Sequence, residues 1–253
     1  MKYYGIILLI IHYWSAYMCK EENQTQHHYE NKKYEYYSTP SQEYRMINKG
    51  ERATIVHLKS ILKAFVESKI ITRCDLFNDL VVVDGNTMRQ IDHLILTNRG
   101  IFIIETKHWR GDIYYNFSKE DLKKVNLYGL GDYLYSPETN NYFTFVLTNT
   151  NNELIFNKYG HPFQQVCEAQ KVLGKVLNGQ YINLIVYFNH PESNLYIGTK
   201  HKYIKCAESR NDLKIQLINC IDHSRFELND SLYTTIINQL ENYSSYNHIS
   251  FNS

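Results

Sequence analysis

A chain of 253 residues, 43% of them hydrophobic, is long enough to bury a sizeable core, and it suits one medium domain with extensions or at most two small ones. Its net charge of +1 excludes a global basic field, so a nucleic-acid partner would have to be met by a local patch or by metal ions. Five cysteines, an odd number without a CxxC pair, argue against a zinc knuckle and against a disulfide framework.

In chain order, "MKYYGIILLIIHYWSAYMC" opens with one lysine and an apolar run of about 17 residues, near the lower limit for a membrane span. A cleaved signal peptide is the rival reading. Its small-x-small pattern is poor here, because Trp14 precedes Ala16 by two and Tyr17 precedes Cys19 by two. Residues 1–20 therefore read as an uncleaved single-pass anchor, whose orientation the lysines on either side leave open. Residues 21–46 are polar and lack apolar periodicity, the composition of a flexible tether. In "KGERATIVHLKSILKAFVES", Ile55, Leu58, Leu62 and Phe65 share one helical face, and Glu51 lies one turn before Ile55 on that face. "LFNDLVVVD", residues 76–84, reads as a strand, and residues 90–107 as two more around the turn "TNRG". Residues 112–145 are Tyr- and Asn-rich and read as mixed strand and loop. "HPFQQVCEAQKVLGKVLNG" reads as a helix with Pro162 in its first turn and Gly179 beyond its end. "INLIVYFN" is a buried strand, "LYIGT" and "YIKCA" are two short ones, and residues 231–243 form a terminal helix. A meander of three strands, a crossover helix and a fourth strand make an α/β domain with a mixed central sheet flanked by helices.

The hairpin "QIDHLILTNRGIFIIETK" carries charges inside apolar strands. If it closes with an even loop, opposed residues have numbers summing to 197, so Asp92 faces Glu105 and Gln90 faces Lys107. Their Cβ atoms then lie roughly 5 Å apart. An odd loop with Gly100 in a bulge puts the two carboxylates on opposite faces instead. In the even register like charges repel, and a divalent cation between them reverses the sign. Mg²⁺ takes oxygen ligands and commonly uses one or two carboxylates with water and phosphate. Lys107, about 7 Å from Glu105 along the strand, is placed to meet a phosphate or a water. The alternative is a surface hairpin with solvated charges. The apolar flanks speak for a buried site, since buried charges are rarely left unpaired.

The elements Gly50–Glu51 opening a helix, "QIDHLILTNRGIFIIETKHWRGDIY" and "HPFQQ" resemble the nuclease-related domain, NERD, of the PD-(D/E)xK nuclease superfamily. The resemblance implies a restriction-endonuclease-like fold, a mixed four-stranded sheet between helices, over residues 47–189, with 190–253 as a C-terminal extension. It implies that Asp92 and Glu105 ligate Mg²⁺ (or Mn²⁺), that Glu51 completes the metal site, and that Lys107 is the third catalytic member. Gln165 matches the glutamine of an N-P-x-x-Q element in which this chain has His161 for Asn. Gln90 and Arg110 are substrate-binding candidates. Each has a plain structural alternative: a helix-start acid for Glu51, a solvent-facing helix residue for Gln165, a strand amide for Gln90 and a surface cation for Arg110. His93 points away from Asp92 and reads as a packing or capping residue.

The expected function is a membrane-tethered, Mg²⁺-dependent nuclease acting on nucleic acid, DNA ahead of RNA. The alternatives are a non-catalytic domain of the same fold that binds nucleic acid or protein, and a membrane-associated interaction protein.

Overall fold

The computed structural model describes residues 48–135, 142–150, 153–158, 160–224 and 227–252. The expected anchor and tether, residues 1–46, lie outside the described residues. Among the described residues no helix is long and apolar enough to cross a membrane.

The first helix, α1 (Lys49–Glu67), buries Leu58, Ile61, Leu62 and Phe65. It ends where Lys69 turns left-handed (φ 58°) and the Ile70 amide returns to the Phe65 carbonyl at 2.9 Å, a Schellman-type close. Three antiparallel strands follow: β1 (Arg73–Asp84), β2 (Thr87–Thr97) and β3 (Gly100–Lys107). After a second, smaller sheet, α4 (Pro162–Val176) carries Pro162 at its start, and Asn178 (φ 52°) and Gly179 (φ 82°) turn the chain just past its end. It delivers β7 (Ile182–Phe188), which pairs parallel with β3. This is the expected meander, crossover helix and parallel strand.

The sheet is wider than the expected four strands. Residues 190–253 add β9 (Ile204–Ala207) beside β7 and β10 (Asn247–Asn252) beside β1, giving the order β10-β1-β2-β3-β7-β9. They also supply α5 (Arg210–Asp222) and α6 (Asp230–Leu240). One cluster packs α1 and α5 on the sheet through Leu62, Phe65, Leu76, Phe102, Ile185 and Leu217. α4 crosses β1, β2, β3 and β7. α6 is tied to β1 and β2 by the Tyr233 hydroxyl, which donates to Asp75 Oδ2 (2.5 Å) and lies 3.3 Å from the Leu96 carbonyl. Asp75 also takes hydrogen bonds from His248 Nε2 (2.7 Å) and from the Ser250 hydroxyl of β10. A mixed sheet flanked by helices is the fold.

The second sheet has the order β6-β5-β4-β8, with β4 (Gly111–Phe117), β5 (Phe143–Thr150), β6 (Glu153–Lys158) and β8 (Ser193–Ile197). Between β4 and β5 lie the short helices α2 (Lys119–Lys124) and α3 (Gly131–Leu134). Leu122 and Leu134 close a cluster around Tyr114, Phe117 and Phe145, with the Tyr114 and Phe145 rings stacked at 4.8 Å. Gly111 makes the turn into β4 possible: its φ is 110°, and a Cβ there would sit 2.5 Å from the Leu147 carbonyl oxygen.

Candidate active site

The β2–β3 hairpin closes on Asn98-Arg99. Its pairs run from Thr97↔Gly100 to His93↔Ile104, all summing to 197, so the even register holds. The Thr97 hydroxyl fixes the turn, donating to the Gly100 carbonyl at 3.1 Å and accepting the Arg99 amide at 3.0 Å.

Pairing stops one step before Asp92. There the Asp92 carboxylate takes over from the backbone: Oδ2 accepts the Thr106 amide at 2.8 Å. On its other side the ladder is also interrupted. Asn78↔His93 and Leu80↔Ile91 pair, whereas Asp79, at φ 53°, and Asp92 do not. A left-handed non-glycine residue inside a strand costs on the order of 1 kcal/mol, and such strain collects at functional sites. Asp92 thus stands in a gap between three strands, released from regular alternation. The Asp79 carboxylate accepts the Gln90 side-chain amide, which places Gln90 at the edge of this gap.

Glu105 and Lys107 come from the end of β3, which on this side is held by β7 (Glu105↔Val186, Lys107↔Phe188). Glu105 is 7% exposed, and Lys107 Nζ donates to its Oε1 at 2.6 Å. The Lys107 ammonium also lies 5.7 Å from the Trp109 ring centre. The Asp92 carboxyl is held well above the ordinary carboxylate range, first by burial, then by the charge of Glu105 and more weakly by Glu51. The Thr106 amide and Lys107 oppose this. Glu51, buried in the first turn of α1, therefore feels Asp92 across the site. Asp92 and Glu105 lie close to the one ammonium of Lys107, and Glu51 adds a weaker charge from α1.

The donor set of hard oxygens fits a divalent cation better than a transition metal that prefers nitrogen or sulfur. Among the described residues, however, no three His, Cys, Asp or Glu side chains converge on one point. Asp92 and Glu105 are the pair brought together, and Glu51 stands at the edge.

The structure gives the remaining predicted residues other surroundings. Gln165 is exposed on the first turn of α4, and among the described residues no hydrogen bond joins it to Asp92 or Glu105. The neighbouring Gln164 is the half-buried one. Arg110 is exposed and paired with Glu192 at 2.7 Å. His93 is fully buried behind the site, as its position in the strand implies, and burial lowers its pKa to about 3.

Sequence reasoning missed Asp79, Asn78, Thr54, Thr106 and Asn189. Their signal was present: Asn78, Asp79 and Asn189 each interrupt or end an apolar run, and buried polar groups need partners.

A mixed sheet between helices, with an acidic pair and a lysine where two central strands part, defines a nuclease-related α/β domain. The family model described as NERD, nuclease-related domain, matches residues 47–189, and the chain belongs to that family, within the PD-(D/E)xK superfamily. No curated protein matches the chain, and no solved structure does.

Proposed function

We propose that this protein is a metal-dependent nuclease that hydrolyses phosphodiester bonds of nucleic acid, DNA in preference to RNA. The observation that carries the reading is the juxtaposition of Asp92 and Glu105 at the strand gap, with Lys107 2.6 Å from Glu105. Asp92 and Glu105 would hold Mg²⁺ or Mn²⁺, with Glu51 adding negative field from α1. Such an ion, when bound, supplies Lewis acidity toward a phosphoryl oxygen and makes a water more acidic.

The chain's own residues do the rest. Lys107 is held on Glu105 and points its ammonium into the site. There it orients the attacking water and donates to a phosphate oxygen as negative charge grows on it. The water oxygen forms the new P–O bond and gives up a proton to solvent, one ester P–O bond breaks, and the departing oxygen takes a proton from solvent in return. Gln90, steadied by Asp79, borders the path of the strand being cut, and Arg110 is exposed for a phosphate farther along. The apolar run at residues 3–19 supports a tether that keeps this activity at a membrane.

The test is a Mg²⁺- or Mn²⁺-dependent cleavage assay on DNA and RNA with wild type and Lys107→Ala. The variant should keep its circular dichroism spectrum and lose activity on the order of a hundredfold or more. Lys107→Arg should rescue only in part, since a planar guanidinium does not reproduce a compact ammonium. Equal cleavage by wild type and Lys107→Ala would remove Lys107 from the chemistry. No cleavage by the wild type on either substrate would leave the non-catalytic binding domain as the better reading.

A further inference from the structure

Behind the acidic pair runs a chain of buried polar contacts. The His93 ring sits between β1 and β3, with Nδ1 2.7 Å from Asn78 Oδ1 and Nε2 3.1 Å from Thr106 Oγ1. The Thr106 hydroxyl meets the Thr54 hydroxyl of α1 at 3.1 Å. Thr54 in turn bonds the Gly50 carbonyl (3.1 Å) one turn back in the helix. Asn189, just past β7, donates to the same carbonyl (2.7 Å) and to the Thr54 hydroxyl (2.8 Å). Its amide N–H is bound to the Lys107 carbonyl at 3.0 Å, and its side-chain oxygen lies 2.7 Å from His108 Nδ1.

Proton bookkeeping gives this chain a direction. The Asn78 amide nitrogen donates to Asn247 Oδ1 (2.5 Å), so Asn78 presents its oxygen to His93. The Thr106 hydroxyl donates to Thr54, whose own proton goes to the Gly50 carbonyl, and the Thr106 oxygen lies against His93 Nε2. The rotamer of Thr106 is therefore held from two sides, by Thr54 and by His93. Thr106 is the residue whose amide holds Asp92, and it lies between Glu105 and Lys107.

We infer that His93 and Thr106 are positioning residues for the acidic pair: the hydroxyl of Thr106, locked by His93 and Thr54, fixes the end of β3 so that its amide reaches Asp92 while Glu105 and Lys107 stay opposite it. β7 holds the far side of this segment, but toward β2 the ladder is broken beyond His93↔Ile104, and there these side chains take the place of backbone pairing. Partners that orient metal-binding carboxylates commonly change metal affinity or activity 10–100-fold when removed. The inference rests on the proposed metal-dependent reading.

The test measures Mn²⁺ binding directly, by the loss of free-ion paramagnetic resonance signal, on folded protein with no nucleic acid present. The proteins are wild type, Asp92→Ala, Thr106→Val, Thr106→Ser, His93→Gln and His93→Asn. Val keeps the branched shape but lacks the hydroxyl; Ser restores it. Gln overlays Nε2 and can meet Thr106, whereas Asn overlays Nδ1 and cannot. Binding should weaken about tenfold or more in Thr106→Val and His93→Asn, stay within about threefold in Thr106→Ser and His93→Gln, and vanish in Asp92→Ala. A structural role alone would lower the stability of Thr106→Val without moving its Mn²⁺ affinity. Wild-type affinity in folded Thr106→Val, with Asp92→Ala still blind to Mn²⁺, overturns the inference and leaves the metal reading standing. Should Thr106→Val not fold, the split between His93→Gln and His93→Asn decides in the same way, and equal affinities overturn the inference. If wild type and Asp92→Ala alike fail to bind Mn²⁺, both the inference and the metal reading fall.

Discussion

Removing the Asp92 charge should make the metal-free protein more stable. In the folded chain the Asp92 carboxyl ionises against burial and against Glu105, and the Thr106 amide and Lys107 only partly offset that cost. A carboxyl whose pKa is raised by folding binds its proton more tightly in the folded than in the unfolded state. Stability is therefore lost as pH rises from the ordinary carboxyl range, about 4, through the raised folded value. Each tenfold loss of acidity is worth about 1.4 kcal/mol at neutral pH. Asp92→Asn removes this cost and keeps a carbonyl oxygen for the Thr106 amide, a bond worth about 1 kcal/mol. The sign of the gain follows from burial and the Glu105 charge, and each kcal/mol gained raises the melting temperature of a domain this size by about 2–4 °C. The assay is thermal unfolding of both proteins in EDTA between about pH 4 and pH 8. The Asn variant should melt higher at neutral pH, and the two curves should converge toward pH 4. In Mn²⁺ the order should shrink or invert, because an ion that binds only the folded wild type stabilises it alone. An Asn variant no more stable than wild type at neutral pH in EDTA, or a difference independent of pH, refutes the reasoning.

Two further outcomes are expected. Tyr233→Phe removes a buried donor to the Asp75 carboxylate and should cost about 1.5–3 kcal/mol in urea unfolding, with little effect on Mn²⁺ binding at Asp92, which lies along β2 from the Asp75 partner Leu96. Full-length protein should stay in membranes after a carbonate wash, while a chain starting near Tyr44 should be soluble; recovery of the full-length protein entirely in the supernatant would remove the tether.

The parts legible in the sequence were those with strong local signals. The apolar stripe of α1, Pro162 and Gly179 at the two ends of α4, and the paired apolar strands around Asn98-Arg99 each follow from short-range rules. From the hairpin register the meeting of Asp92 and Glu105 follows by counting. What was not legible depended on distant partners. The second sheet was hidden in a Tyr- and Asn-rich stretch because its core is made of aromatic rings stacked on one another, Tyr114 on Phe145 and on Tyr196, rather than of aliphatic alternation. α5 escaped notice because its buried stripe is only one residue wide, Leu213, Leu217 and Ile221. The left-handed backbone at Asp79 leaves no mark on composition, and the chain from Asn78 to Asn189 joins β1, β2, β3, α1 and the segment after β7, which only the fold brings together.

The pairing of β10 with β1 joins residues some 175 positions apart, Asp75 with Ser250 among them. The recognisable stretch, residues 47–189, therefore leaves out two strands of the main sheet and two of the helices packed on it. Cut out alone, it would present β1 as a bare apolar edge carrying Leu76 and Phe77, strip Asp75 of Tyr233, His248 and Ser250, and uncover the side of α1 that α5 shields. The family signature and the packed core have different borders in this chain: residues 47–189 carry the first, and the segment beyond residue 189 completes the second.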